Sequence, residues 1–125
     1  MINGAHFLLY SKDPDADRAF LRDVLAFRSV DAGRGWLIFA LPPAEIAVHP
    51  SSEDAEPPSA DDGVAGAALY LMCDDLRATM KQLQSKKVKF SAVEAAQWGT
   101  VTTFSLPSGA KVGLYQPKHP TALSH

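Results

Sequence analysis

Apolar residues crowd into AHFLLY at 5–10, a length and density that predict a mostly buried strand. The polar stretch SKDPD that follows is a helix start. Asp13 can cap, Pro14 suits the first helical position, and Asp15 and Asp17 favour the positive end of the helix dipole. Ala16, Ala19, Phe20, Val24 and Phe27 then recur at helical spacing, a stripe that should face a sheet. After the polar loop RSVDAGRG, the runs WLIFAL at 36–41 and EIAVH at 45–49 read as strands, with Pro42-Pro43 turning between them.

Between 50 and 66 the pattern breaks. PSSEDAEPPSADDGVAG is acidic, rich in Pro and Ser, and nearly free of large apolar side chains, so it reads as a solvated loop. The earlier order then returns. ALYLMC at 68–73 predicts a strand, and Asp74-Asp75 caps a second helix carrying Leu76, Met80 and Leu83 on one face. Lys86-Lys87 stands near its end, where cations suit the dipole. VKFSAV at 88–93 and TVTTFSL at 100–106 predict strands with Trp98-Gly99 at the bend between them. Pro107-Ser108-Gly109 is a turn signal, KVGLY at 111–115 is a last strand, and the tail QPKHPTALSH should be loose.

Both halves therefore run strand, Asp-started helix, then further strands. An internal duplication with a period of roughly 60–65 residues accounts for this. Its modules span about 5–50 and 67–117, separated by the loop 51–66 and followed by the polar tail 118–125. One helix on one small sheet can hardly bury its own apolar face. Two modules packed together can, and their concave sheet faces would enclose a cavity. The fold class is α+β.

Composition narrows the function without naming it. The 125 residues are 46% hydrophobic and 21% charged, which suits a single globular domain. A net charge of −2 gives no electrostatic footprint for nucleic acid. The N-terminus has neither a basic region nor an apolar run long enough for a signal or a membrane span, so a soluble cytoplasmic protein is expected. A single cysteine, Cys73, excludes an internal disulfide framework and reads as a small buried hydrophobe. No phosphate-cradling glycine loop, nucleophile elbow or basic aromatic stripe is present.

The segments HFLLYSKDPDADRAFLRDVLAF, LYLMCDDLRATMKQL and LPSGAKVGLYQP, set in a duplicated βαβββ order, resemble the vicinal oxygen chelate superfamily. That group holds glyoxalases, bleomycin-resistance proteins and extradiol dioxygenases. The resemblance implies a curved, mostly antiparallel sheet around one cavity with the helices outside, and commonly a homodimer. It also implies a metal on the cavity floor, held from the first and last strands of each half. His6 matches the first of these positions. The equivalent position in the second half falls on Ala68, or at best Ala67. The last-strand glutamate of the second half falls on Gly113, and the remaining position falls near Glu45 or Ala47.

Alternation checks this independently. If Phe7 and Leu9 pack under the helix, His6, Leu8 and Tyr10 face the cavity, and so do Glu45, Ala47 and His49. In the second half, Tyr70 and Met72 join Ala68, and Lys111 and Tyr115 join Gly113. Glu45 and His49 lie four residues apart on one strand, roughly 13 Å at ~3.3 Å per residue, too far to share one ion. His6 with one of them is fewer donors than the three or so that a catalytic metal requires.

The reading that follows is a small-molecule binding protein similar to the bleomycin-resistance branch. Tyr10, Trp36, Tyr70, Met72, Trp98, Tyr115 and His49 would line its site, and no cofactor would be needed. The alternative is a metal-dependent lyase or dioxygenase with a divalent ion on His6 and Glu45. A third possibility is a non-catalytic association module. A homodimer is expected, with neither nucleic acid nor membrane as partner.

Overall fold

The computed structural model describes residue 1, residues 6–47 and residues 68–123. Its described residues form a mixed α+β structure of two helices and two sheets. Its described residues fall into two compact units, one drawn from Met1–Ala40 and Ser105–Lys111, the other from Leu41–Phe104 and Val112–His125.

In the first unit, helix α1 spans Pro14–Ala19 and starts as its sequence dictates. The Asp13 carboxylate accepts from Ala16 N–H, and Pro14 occupies the first turn. The helix then widens into one π turn, Phe20–Val24, closed by Leu25 N–H donating to the Phe20 carbonyl at 3.1 Å. Strands β1, Ser29–Asp31, and β2, Leu37–Phe39, pair antiparallel, with Val30 opposite Ile38. The Asp31 carboxylate binds the N–H groups of Gly33 and Gly35, which folds the intervening turn. The loop expected before residue 36 is thus half strand, because the Asp31 side chain makes a tight hairpin possible.

The turn 106–110 belongs to this unit. Leu106 N–H donates to the Ala110 carbonyl at 2.8 Å, and Gly109 N–H donates to the Leu106 carbonyl at 2.8 Å. Asp17 clamps it: its carboxylate accepts from Ser108 N–H at 3.0 Å and from the Ser108 hydroxyl at 2.7 Å. Asp17 is only 6% exposed, so its role goes beyond the dipole effect expected from its place in the first turn.

The second unit holds β3, Tyr70–Met72; α2, Leu76–Gln84; β4, Glu94–Ala95; and, save for the end residues Ser105 and Lys111, β5, Gly99–Ser105, and β6, Lys111–Pro117. The sheet order is β3-β6-β5-β4, with β3 parallel to β6 and β4 antiparallel to β5. Asp75, the second of the two candidate caps, starts α2 by accepting from Ala78 N–H. Leu76 and Leu83 of α2 are buried with Val88, Phe104, Val112 and Leu114, and Met80 is half-buried. Strand β6 buries four successive residues, Val112 to Tyr115, so both its faces are covered.

Three expected strands are not formed. Residues 6–10 lack regular structure and are exposed, and residues 45–47 likewise form no strand. Val48 and His49 lie outside the described residues. Over 88–93 no ladder forms, because side chains take the backbone's partners. Ser91 N–H reaches the Thr103 carbonyl, but Thr103 N–H binds the Ser91 hydroxyl, and the Thr102 hydroxyl takes the Ser91 carbonyl. The tail is also not loose at its start. Lys118 N–H donates to the Trp98 carbonyl, and Ala122 N–H to a Glu45 carboxylate oxygen at 2.7 Å.

Candidate functional site

The second unit gathers an aromatic cluster from three separate stretches of chain. Tyr70 opens β3, Trp98 precedes β5, and Tyr115 lies within β6. All three pairs meet edge to face. Ring centroids are 6.2 Å apart for Tyr70 and Trp98, 5.9 Å for Tyr70 and Tyr115, and 5.4 Å for Trp98 and Tyr115. This is the arrangement that aromatic quadrupoles favour. Tyr115 is only 7% exposed, whereas Tyr70 and Trp98 are 46% and 44% exposed. The cluster thus has a buried base and two open rings.

Two glycines make it possible. β3 and β6 place Tyr70 directly beside Gly113. A Cβ on Gly113 would lie 2.9 Å from Tyr70 Cγ and nearer still to the adjoining ring carbons. At Gly99, a Cβ would stand 3.0 Å from Tyr115 Cδ2 and 2.7 Å from the Gln116 carbonyl oxygen. Each tyrosine ring therefore occupies space that a side chain would claim.

His119 closes the cluster from the tail, stacked on Tyr115 at 5.9 Å. Its Nδ1 lies 2.8 Å from the Pro120 carbonyl, which can only accept, so Nδ1 carries the proton. The other nitrogen, Nε2, then accepts from the Tyr115 hydroxyl at 3.1 Å. Burial, and after it the negative charge of Glu45, pushes the Tyr115 phenol above its usual value of 10. Sequence reasoning missed His119 because a histidine between prolines in a polar tail carries no local signal. Met72 is half-buried two residues beyond Tyr70 on β3.

The other candidate residues have surroundings of their own. Tyr10 and Trp36 belong to the first unit and are exposed, and the Arg18 guanidinium sits 4.8 Å over the Trp36 ring. His49 lies outside the described residues. Cys73 donates to the Tyr115 carbonyl at 3.5 Å, and burial pushes its thiol up, the opposite of an activated nucleophile.

The donor set does not fit the metal that the family resemblance implies. One Glu45 oxygen is already held by Ala122 N–H. Ala68 supplies no donor, and the place of a side chain at Gly113 is filled by the Tyr70 ring. Among the described residues no three His, Cys, Asp or Glu side chains come together to hold an ion. No helix among them is long and apolar enough to cross a membrane.

Solved structures with the same fold include an antibiotic-binding protein from Streptomyces sp. CB03234. It is 22% identical, with a TM-score of 0.66, covering 94% of this chain and 99% of that one. A lactoylglutathione lyase from Agrobacterium tumefaciens is 16% identical, with a TM-score of 0.61, covering 91% and 92%. A glyoxalase/bleomycin resistance protein from Streptomyces sp. CB03234 is 22% identical, with a TM-score of 0.56, covering 85% and 93%. No curated protein matches the chain in sequence. The sequence profile of one superfamily matches residues 4–114, nearly the whole chain. The chain belongs to the Glyoxalase/Bleomycin resistance protein/Dioxygenase superfamily.

Proposed function

We propose that this protein binds a small organic molecule against the open rings of Tyr70 and Trp98, and that it does so without a metal. The observation that carries this reading is the Tyr70 ring lying across Gly113. The position where the family resemblance puts a ligating glutamate is given over to an aromatic surface. Half-exposed rings braced by a buried third are suited to stacking, because an incoming ring gains apolar contact without any reordering of the cluster. Met72 is the flexible apolar neighbour in this reading. The similar protein from Streptomyces that binds an antibiotic is in keeping with a small organic ligand.

The two modules would be halves of one domain. A homodimer would cover apolar surface that Phe7, Leu8, Leu9, Val30 and Ile46 leave exposed in the single chain.

The test joins metal analysis to ligand screening. Purified protein should contain no stoichiometric metal before or after incubation with Zn²⁺, Ni²⁺, Mn²⁺ or Fe²⁺. A thermal-shift screen of aromatic metabolites should find a ligand that quenches Trp98 fluorescence in a Trp36→Phe background and is lost on Trp98→Ala. Stoichiometric metal that disappears on His6→Ala would sink the reading.

A further inference from the structure

We infer that His119 occupies a ligand subsite on Tyr115, and that a planar aromatic ligand with an in-plane hydrogen-bond acceptor displaces it by lifting the tail. The inference rests on the small-molecule reading above and adds to it the ligand's acceptor and its built-in competitor.

Two observations carry it. The first is what the His119 ring does on Tyr115. It stacks within 30° of parallel, at 5.9 Å between centroids, and its Nε2 accepts from the Tyr115 hydroxyl at 3.1 Å. A flat heteroaromatic ring with one acceptor nitrogen therefore already sits on the buried wall of the cluster. The other two walls, Tyr70 and Trp98, lie 5.9 and 5.4 Å from Tyr115 and stay open. A ligand on those open rings that extends to Tyr115 meets His119 in its place.

The second is how the tail is held. Lys118 N–H donates to the Trp98 carbonyl at 2.9 Å, and Ala122 N–H to a Glu45 carboxylate oxygen at 2.7 Å. Lys118, Pro120, Ala122 and Leu123 are exposed, and His119 and Thr121 are half-buried. Residues 118–122 are thus a strap pinned at both ends and at His119. Segments held by surface hydrogen bonds open at a small fraction of the cost of global unfolding. Opening uncovers the Tyr115 ring and leaves its hydroxyl to whatever acceptor takes the place of Nε2. Tyr115 is only 7% exposed, so a ligand that accepts from it is favoured over an isostere that leaves the donor unmet.

The matched probes are 1-methylbenzimidazole, whose free ring nitrogen is an acceptor, and 1-methylindole, which has none. Binding is read by the Trp98 indole N–H resonance in the Trp36→Phe background, where both probes are uncharged. His119→Ala should bind the benzimidazole roughly tenfold more tightly, since the strap no longer holds the subsite closed. In that variant the benzimidazole should outbind the indole by roughly three- to tenfold, and adding Tyr115→Phe should abolish the preference. Amide exchange checks the strap without a ligand. The Lys118 and Ala122 amides bond to Trp98 and Glu45 rather than to the His119 side chain, yet His119→Ala should speed both together. His119 is half-exposed in the tail, so the fold should hold, as the melting temperature verifies. An affinity unchanged or weakened by His119→Ala, equal binding of the two probes in it, or either amide left unmoved overturns the inference. The small-molecule reading then stands if a probe or a compound of the aromatic screen shifts Trp98. If none does, in either protein, that reading fails and the inference falls with it.

Discussion

The ring of Tyr70 occupies the space beside Gly113 that a side chain there would fill, with the two residues facing each other as neighbours in a parallel strand pair. Glycine in a strand interior is weak in isolation, since it brings no side chain to pack. Here the missing side chain is what lets an aromatic ring lie directly on the backbone.

Gly113→Ala should therefore be destabilising, by about 1–3 kcal/mol, since the added methyl forces the Tyr70 ring off its position. Urea unfolding of Gly113→Ala, Tyr70→Ala and the double variant measures the coupling. With the ring removed, the alanine should cost little, giving strong non-additivity. Additive effects would show that the ring and the glycine are independent.

The same contact governs any attempt to install the family's metal ligands. Ala68→His with Gly113→Glu should fail to bind Zn²⁺ stoichiometrically while Tyr70 is present, because the glutamate has no room. Adding Tyr70→Ala should raise zinc affinity above that of the double variant. Isothermal titration calorimetry compares them, and zinc binding by the double variant would contradict the packing argument.

Asp17 makes a second testable tie. Removing its carboxylate, which is almost fully buried, leaves the N–H and hydroxyl of the half-buried Ser108 without their acceptor. Asp17→Ala should cost about 1.5–3 kcal/mol, the range for hydrogen bonds to a charged group. Asp15→Ala, in the same turn but exposed, should cost far less; its contact is a surface pair with Arg18. Equilibrium denaturation of the two variants decides the matter.

Stability should fall in alkali above pH 10. The Tyr115 phenol is raised in the folded state, so above its unfolded value the unfolded chain has released a proton that the folded chain still holds. The stabilisation is complete below pH 10 and is lost as pH rises through the folded value. Glu45→Gln removes one cause of the shift and should narrow this window from above. Thermal melts from pH 9 to 12 follow both.

Lys87, just beyond α2, holds a left-handed backbone with φ 69°. Lys87→Gly should stabilise the protein by about 0.5–1 kcal/mol, since glycine adopts this conformation without the Cβ penalty. Lys87→Ala, which keeps the penalty, should show no gain in the same denaturation series.

Some of this was legible along the chain. Asp13-Pro14 and Asp75 start their helices where the sequence places them, and Pro107-Ser108-Gly109 turns where it should. These are contacts within four or five residues, and the residue types alone set them. Tyr70, Trp98 and Tyr115 were legible as candidates but not as one cluster, and His119 was not legible at all. The expected strand over 88–93 failed for a comparable reason. Nothing in VKFSAV reveals that the Ser91 hydroxyl will take the Thr103 N–H from the ladder.

What the sequence determined by itself is where the two helices start, where the chain turns at 107–109, and the superfamily. It also determined the lack of donor side chains at Ala68 and Gly113. The tertiary structure alone decided what fills the place left at Gly113, which residue clamps the turn at Ser108, and where Glu45 is held. The Asp17–Ser108 and Glu45–Ala122 contacts join residues 91 and 77 positions apart. Periodicity says which side chains share a face of their own element. Only the pairing of distant strands brings a particular ring over a particular glycine, because that choice depends on which packing of all the elements buries the most apolar surface with its polar groups satisfied.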